Sequence, residues 1–166
     1  YPLLTIIKLN YSIRISVTKK ENMFRRPVKH APKHIIRGGI FMLIVGINGS
    51  PNRSGSTAFL LDRLSKEIEL LNGEFKIINV VDALSDINTP FCTNCNNICD
   101  GRCYEGTKLE QSFQVMTKAD AIVIASPVYF GSVSGQLKCF FDKTLKLRQE
   151  RKLIGKIGAA IAVGGA

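Results

Sequence analysis

Two short stretches carry the residues that could do chemistry. Cys92, Cys95, Cys99 and Cys103 follow one another at spacing C-x2-C-x3-C-x3-C. Thiolates this close in sequence can converge on one metal centre, and two centres suit an all-sulfur set: a 4Fe-4S cluster or tetrahedral zinc. Redox-active or free thiols are the third reading. The second stretch is Gly49-Ser50-Pro51-Asn52-Arg53-Ser54-Gly55-Ser56-Thr57, between an apolar run and an amphipathic one. A helix that begins there offers unpaired N–H groups and a positive partial charge to an anion. The hydroxyls of Ser50, Ser54, Ser56 and Thr57 add donors, and Gly55 lets the backbone come close. Two nucleotide motifs fail on spacing. Five residues separate the glycines and Ser56 stands where a P-loop needs lysine, and G-x-G-x-x-G is absent. What remains is a cradle for a single phosphate, the alternative being an ordinary βα turn rich in small residues.

The elements that position these stretches follow from apolar patterning. Phe41–Ile47, Phe75–Val81, Ala121–Ala125 and Ile157–Val163 read as strands, the first, third and fourth as continuous apolar runs. Between them Ser56–Leu71 reads as a helix with Leu60, Leu64, Ile68 and Leu71 on one face, closed by Asn72-Gly73. Thr107–Lys118 reads as a helix with Leu109, Phe113 and Met116 inward. A third helix, capped by Ser134, is expected to run to about Gln149 with Leu137, Phe141 and Leu145 on its core face. Within it, Cys139 reads as a small buried apolar residue. Asp82–Gly106 is a long loop, a length that usually marks function. Strands alternating with helices indicate an α/β class with a parallel sheet.

On these residues the chain resembles the NAD(P)H-dependent FMN reductase and iron-sulfur flavoprotein group. GSPNRSGST is similar to that group's phosphate loop, G-S-P-R-x-x-G/S-N-T, with Asn52 at the usual Arg and Ser56 at the usual Asn. Ser126-Pro-Val-Tyr-Phe-Gly-Ser-Val-Ser-Gly-Gln-Leu-Lys138 is similar to its S-P-V-Y-F/W-G-S-x-S-x-x-L-K segment. Val163-Gly164-Gly165 matches the start of its third loop. The resemblance implies a flavodoxin-like fold: a three-layer, doubly wound parallel sheet, missing the last strand and helix. It implies FMN as cofactor and NAD(P)H as co-substrate. It implies further that hydride passes to the flavin and that electrons pass onward to a small-molecule or protein acceptor. The implied flavin contacts are Ser50, Asn52, Ser54, Gly55, Ser56 and Thr57 at the phosphate. Around the ring they are Pro127, Val128, Tyr129, Phe130, Gly131, Ser132, Gly164 and Gly165. Iron-sulfur members carry a cluster motif in the cysteine loop, closer to C-x2-C-x2-C followed by a more distant cysteine. The spacing here differs by one residue. A homodimer is implied by the same resemblance.

Composition limits the alternatives. The chain has 166 residues, 45% of them apolar, and a net charge of +10. Nine of its 23 basic residues but only one of its 13 acids, Glu21, fall within residues 1–41. The basicity thus belongs to that segment, which is expected to be an appendage outside the fold, with the flavodoxin-like domain spanning 42–166. Neither nucleic acid nor membrane is expected as partner, and the chain is expected to be cytoplasmic. Both histidines, His30 and His34, also lie in the segment, so residues 42–166 hold no Ser-His-Asp or Cys-His set. No side chain is assigned as catalytic, because a flavin carries its own reactivity. Two other classes stay open at this point: an electron-transfer flavoprotein module with no substrate site of its own, and a zinc-stabilised nucleic-acid-binding protein.

Overall fold

The computed structural model describes residues 12–18, 35–36, 39–40, 42–95 and 97–164. Four parallel strands form the centre: β4 (Leu43–Asn48), β5 (Glu74–Asn79), β6 (Ala121–Pro127) and β7 (Ile157–Gly164). A further strand, β1 (Ser12–Thr18), lies antiparallel on the outer edge of β7, and β2 (Ile35–Ile36) pairs separately with β3 (Gly39–Ile40). The sheet order is β1-β7-β6-β4-β5. The four parallel strands therefore follow the flavodoxin-like order, with its switch point between β4 and β6. The other residues of the basic segment, and most of its charges, lie outside the described residues.

Side chains alternate between two faces of the sheet, as the pleat requires. Val45 and Ile47 of β4 face a core shared with Leu109, Phe113 and Met116 of α3 (Lys108–Lys118) and with Leu137 and Phe140 of α4 (Gly135–Asp142). Ile44 faces the other way, toward Val123, Ala125 and Leu61 of α1 (Ser56–Leu70). Helices thus cover both faces, and the three-layer α/β architecture follows.

Three helix expectations need correction. On α1 the buried stripe is Thr57, Leu61 and Ile68, with Leu60 and Leu64 half-buried and Leu71 exposed. Paired leucines at 60–61 and 70–71 leave the helical phase ambiguous in sequence. The expected single helix after Ser134 divides into α4 and α5 (Leu145–Gln149), and its buried residues are Leu137, Phe140 and Leu147. At the break the Thr144 hydroxyl and N–H both donate to the Phe141 carbonyl, at 2.7 and 2.9 Å. Such local bonding competes with the helical ladder. Cys139 is half-buried, not buried. The second strand, expected to run to Val81, also ends early at Asn79: a helical turn, α2 (Val80–Ala83), follows and buries Val80 and Ala83.

At the amino end of the sheet, Lys156 fastens α3 to the start of β7. Its ammonium donates to the carbonyls of Thr117 (2.9 Å) and Ala119 beyond the last turn of the helix. Burial lowers the pKa of Lys156 from its ordinary value, and nearby Asp120 opposes that shift. Lys156→Met is expected to cost about 1–2 kcal/mol, since the two carbonyls lose a charged donor. The folded-state pKa lies below the unfolded one, so the unfolded chain binds more protons on the alkaline side below 10.5. The Lys156 contribution to stability therefore rises with pH in that window, and the rise should vanish in the variant. Thermal melts of both proteins across alkaline pH check both expectations.

Candidate functional site

The carboxyl ends of β4, β6 and β7 stand side by side, with Asn48 opposite Ala125 and Pro127 opposite Val163. The loops that leave them are joined by specific contacts. The Gly49 N–H donates to the Ala125 carbonyl at 2.7 Å. The Gly49 carbonyl accepts from the hydroxyl of Ser134, the cap of α4. Ser126 Oγ accepts from Ser134 N at 3.1 Å, and Val128 N donates to the Val163 carbonyl at 2.8 Å. A Cβ placed on Gly164 would sit 3.6 Å from Val128, so the third loop touches the second. Gly165 lies outside the described residues.

Within the first loop, short polar side chains fold the backbone onto itself. Asn48, 1% exposed at the strand end, accepts from Ser50 N at 3.0 Å and donates to Asn79 Oδ1 at 2.9 Å. Ser50 Oγ accepts from Asn52 N, and Asn52 Oδ1 accepts from the N–H and hydroxyl of Ser54. These bonds consume donors that sequence alone offers to a phosphate. Three N–H groups, of Ser56, Thr57 and Ala58, and the hydroxyls of Ser56 and Thr57 take no partner among the described residues. Gly55 caps α1 without a side-chain bond, and the first turn holds no acid. An uncapped helix start of this kind is suited to an anion. Arg53 is turned away from it and pairs on the surface with Asp82. Asn48 and Asn79 were not among the expected site residues; an Asn directly after an apolar strand is the signal that could have found the first.

The second loop makes a tight turn. Tyr129 and Ser132 exchange two backbone bonds of 2.9 Å, with positive φ at Phe130 (50°) and Gly131 (73°). Glycine takes that conformation freely; phenylalanine does so at a cost. Phe130 is fully exposed and Val128 and Tyr129 are partly so, giving an apolar rim beside the first loop. Of the expected donors from Pro127 to Ser132, the N–H groups of Val128, Tyr129 and Ser132 are already bonded within the protein. Only Phe130 and Gly131, at the tip, hold theirs free among the described residues. Phe130→Gly is expected to stabilise the fold by about 1 kcal/mol through relief of that backbone conformation, and to weaken flavin binding several-fold by removing the flat contact. Melting and flavin titration of one variant read the two effects separately.

The cysteine loop is anchored from below by Tyr104, 4% exposed, whose ring meets Phe113 edge-on at 5.1 Å. Burial pushes the Tyr104 phenol far above its ordinary range, and the neighbouring Cys99 and Cys103 add to the shift. Cys92 and Cys99 are half-buried; Cys95 and Cys103 are exposed. Among the described residues, no three Cys, His, Asp or Glu side chains stand together as metal ligands would. The donor chemistry of the loop suits a thiolate-held centre, and its present arrangement is open. A separate groove of about 370 Å³ lies between β5 and α3, lined by Lys76, Asn79, Asp82, Lys108 and Val115 among others. It contains none of the expected site residues. Among the described residues no helix is long and apolar enough to cross a membrane.

A sequence model of the family described as NADPH-dependent FMN reductase matches residues 42–166. The chain belongs to that family. Among its relatives, an iron-sulfur flavoprotein of Methanocaldococcus jannaschii is 36% identical over 125 residues, covering 74% of this chain and 62% of the relative. An iron-sulfur flavoprotein of Archaeoglobus fulgidus is 34% identical over 123 residues, covering 74% and 54% respectively. The chain thus spans less than two thirds of the length of either relative. Among solved structures, the flavoenzyme NAD(P)H:(acceptor) oxidoreductase of Paracoccus denitrificans superposes with a TM-score of 0.53 at 16% identity. It covers 73% of this chain and 60% of its own, and it bears out the flavodoxin-like fold of the family.

Proposed function

We propose that this chain is the flavin-binding part of an NAD(P)H-dependent oxidoreductase that holds FMN in the cleft between its first and second loops. The observation that carries this reading is the start of α1: a helix terminus with free N–H groups, no capping side chain and no acid, fastened to the apolar turn at Tyr129–Ser132 through the bond between Ser134 and Gly49. Bound FMN supplies hydride acceptance from reduced nicotinamide and release of electrons to an acceptor. The residues do the rest. The N–H groups of Ser56, Thr57 and Ala58 bind the phosphate, and the hydroxyls of Ser56 and Thr57 orient it. Asn48 and Ser50 hold the loop that presents them. Tyr129 and Phe130 cover the apolar ring, and the N–H groups of Phe130 and Gly131 meet its polar edge. Gly164 leaves room beside Val128, and Gly165 continues that third loop.

In this reading Cys92, Cys95, Cys99 and Cys103 hold a 4Fe-4S cluster that relays electrons to a small-molecule or protein acceptor. Support comes from the all-thiol donor set and from the names of the relatives. We place the protein in the cytoplasm as a homodimer, without nucleic acid or membrane as partner. Anaerobic addition of NADPH to the FMN-loaded full chain tests the function. Bleaching of the flavin band supports it. A flavin band that persists with NADPH and NADH, yet bleaches with dithionite, would reassign the chain as an electron-transfer module.

A further inference from the structure

Lys143 stands at the break between α4 and α5 and is only 3% exposed. Among the described residues it forms no ion pair with a carboxylate. Its ammonium nitrogen instead lies 3.5 Å from Cys103 Sγ, across forty residues of sequence. A buried ammonium without a counter-charge is costly, and it persists where negative charge is provided nearby. A centre held by four thiolates carries net negative charge.

Lys143 does not act alone. Lys146 Nζ donates to the Asp100 carbonyl at 2.8 Å. Gln149 accepts from Cys99 N at 2.9 Å and donates to the Asn97 carbonyl at 3.3 Å. Positions 143, 146 and 149 recur every three residues, so one side of the α4–α5 segment grips the cysteine loop. Two of these grips take backbone. Only Lys143 is directed at a sulfur.

We propose that Lys143 is the counter-charge of the centre held by the cysteine loop, donating an N–H···S bond to Cys103 and raising the reduction potential of that centre. The proposal rests on the cluster reading given above. Reduction adds negative charge to the centre, and a cation or N–H donor at a ligand sulfur stabilises the reduced form more than the oxidised one. Lys146 and Gln149 hold the backbone of the loop.

The test is anaerobic iron–sulfur reconstitution of the full chain, followed by iron analysis and a potentiometric titration. The proteins are wild type, Lys143→Met and Lys143→Arg. With iron content unchanged, Lys143→Met is expected to lower the equilibrium constant for reduction about tenfold, which is ~59 mV for a one-electron couple. Lys143→Arg is expected to stay within about twofold of wild type on the same scale. Loss of iron in Lys143→Met alone, with Lys143→Arg loaded, also supports the counter-charge. An unchanged potential in Lys143→Met overturns the proposal while leaving the cluster in place. Loss of iron from both Lys143 variants assigns the residue to packing and overturns it too. A wild-type chain that takes up no iron overturns the cluster reading and this proposal together.

Discussion

Gly49→Val is expected to lose FMN binding and about 2–4 kcal/mol of stability together. A Cβ at this position would lie 2.8 Å from Leu137 Cδ2 and 3.0 Å from the Ala125 carbonyl oxygen. Leu137 is completely buried, and the carbonyl belongs to the neighbouring strand. Neither can yield without moving β6 or α4. Overpacking of that kind costs about 1–3 kcal/mol. The shift also strains two hydrogen bonds, from Gly49 N to Ala125 and from Ser134 to the Gly49 carbonyl, each worth about 1 kcal/mol. Those bonds set the distance between the first loop and the apolar turn, so flavin affinity is expected to fall with stability. Chemical denaturation with and without FMN reads both. A variant that keeps wild-type stability and affinity would show that the two loops do not depend on this close approach.

Ser56→Asp should separate the two properties. An exposed carboxylate in the first turn of α1 is expected to stabilise the helix slightly, by about 0.3–1 kcal/mol. The same carboxylate occupies the free N–H groups and repels a phosphate. FMN affinity is expected to fall about 100-fold, roughly 2.7 kcal/mol. Melting temperature should hold or rise while the dissociation constant climbs. Loss of affinity with loss of folding would point to damage to α1, and unchanged affinity would move the phosphate elsewhere.

Much of the scaffold was legible because its signals are redundant. Central strands of a parallel sheet read as near-continuous apolar runs, and Leu43–Asn48, Ala121–Pro127 and Ile157–Gly164 fall within two residues of the runs that mark them, although no residue of Ile157–Gly164 is fully buried. Helix α3 carries its inward residues Leu109, Phe113 and Met116 openly, and Thr107, read as its first residue, is its cap. Phase was harder where leucines are doubled, as on α1. The break at Lys143 and Thr144 was not legible. It depends on a hydroxyl competing for a carbonyl and on a buried lysine whose counterpart lies forty residues away. In the site, residue types pointed to an anion at the start of α1, but not to which donors remain available. Asn52 and Ser54 both look like phosphate ligands in sequence; in the structure the N–H and hydroxyl of Ser54 are spent on Asn52 Oδ1, while the Asn52 side-chain amide N–H groups take no partner among the described residues. Arg53 likewise turns to Asp82. Hydrogen-bond partition within a loop is a tertiary property, and spacing does not encode it.

We propose that the start of α1 binds the flavin through its phosphate. The direct measurement is a pair of fluorescence titrations of the full chain, one with FMN and one with riboflavin, which lacks the phosphate. Saturable binding of FMN, with riboflavin weaker by about 100-fold or roughly 2.7 kcal/mol, is the predicted result. Equal affinity for the two flavins, or no binding of FMN at all, would contradict it.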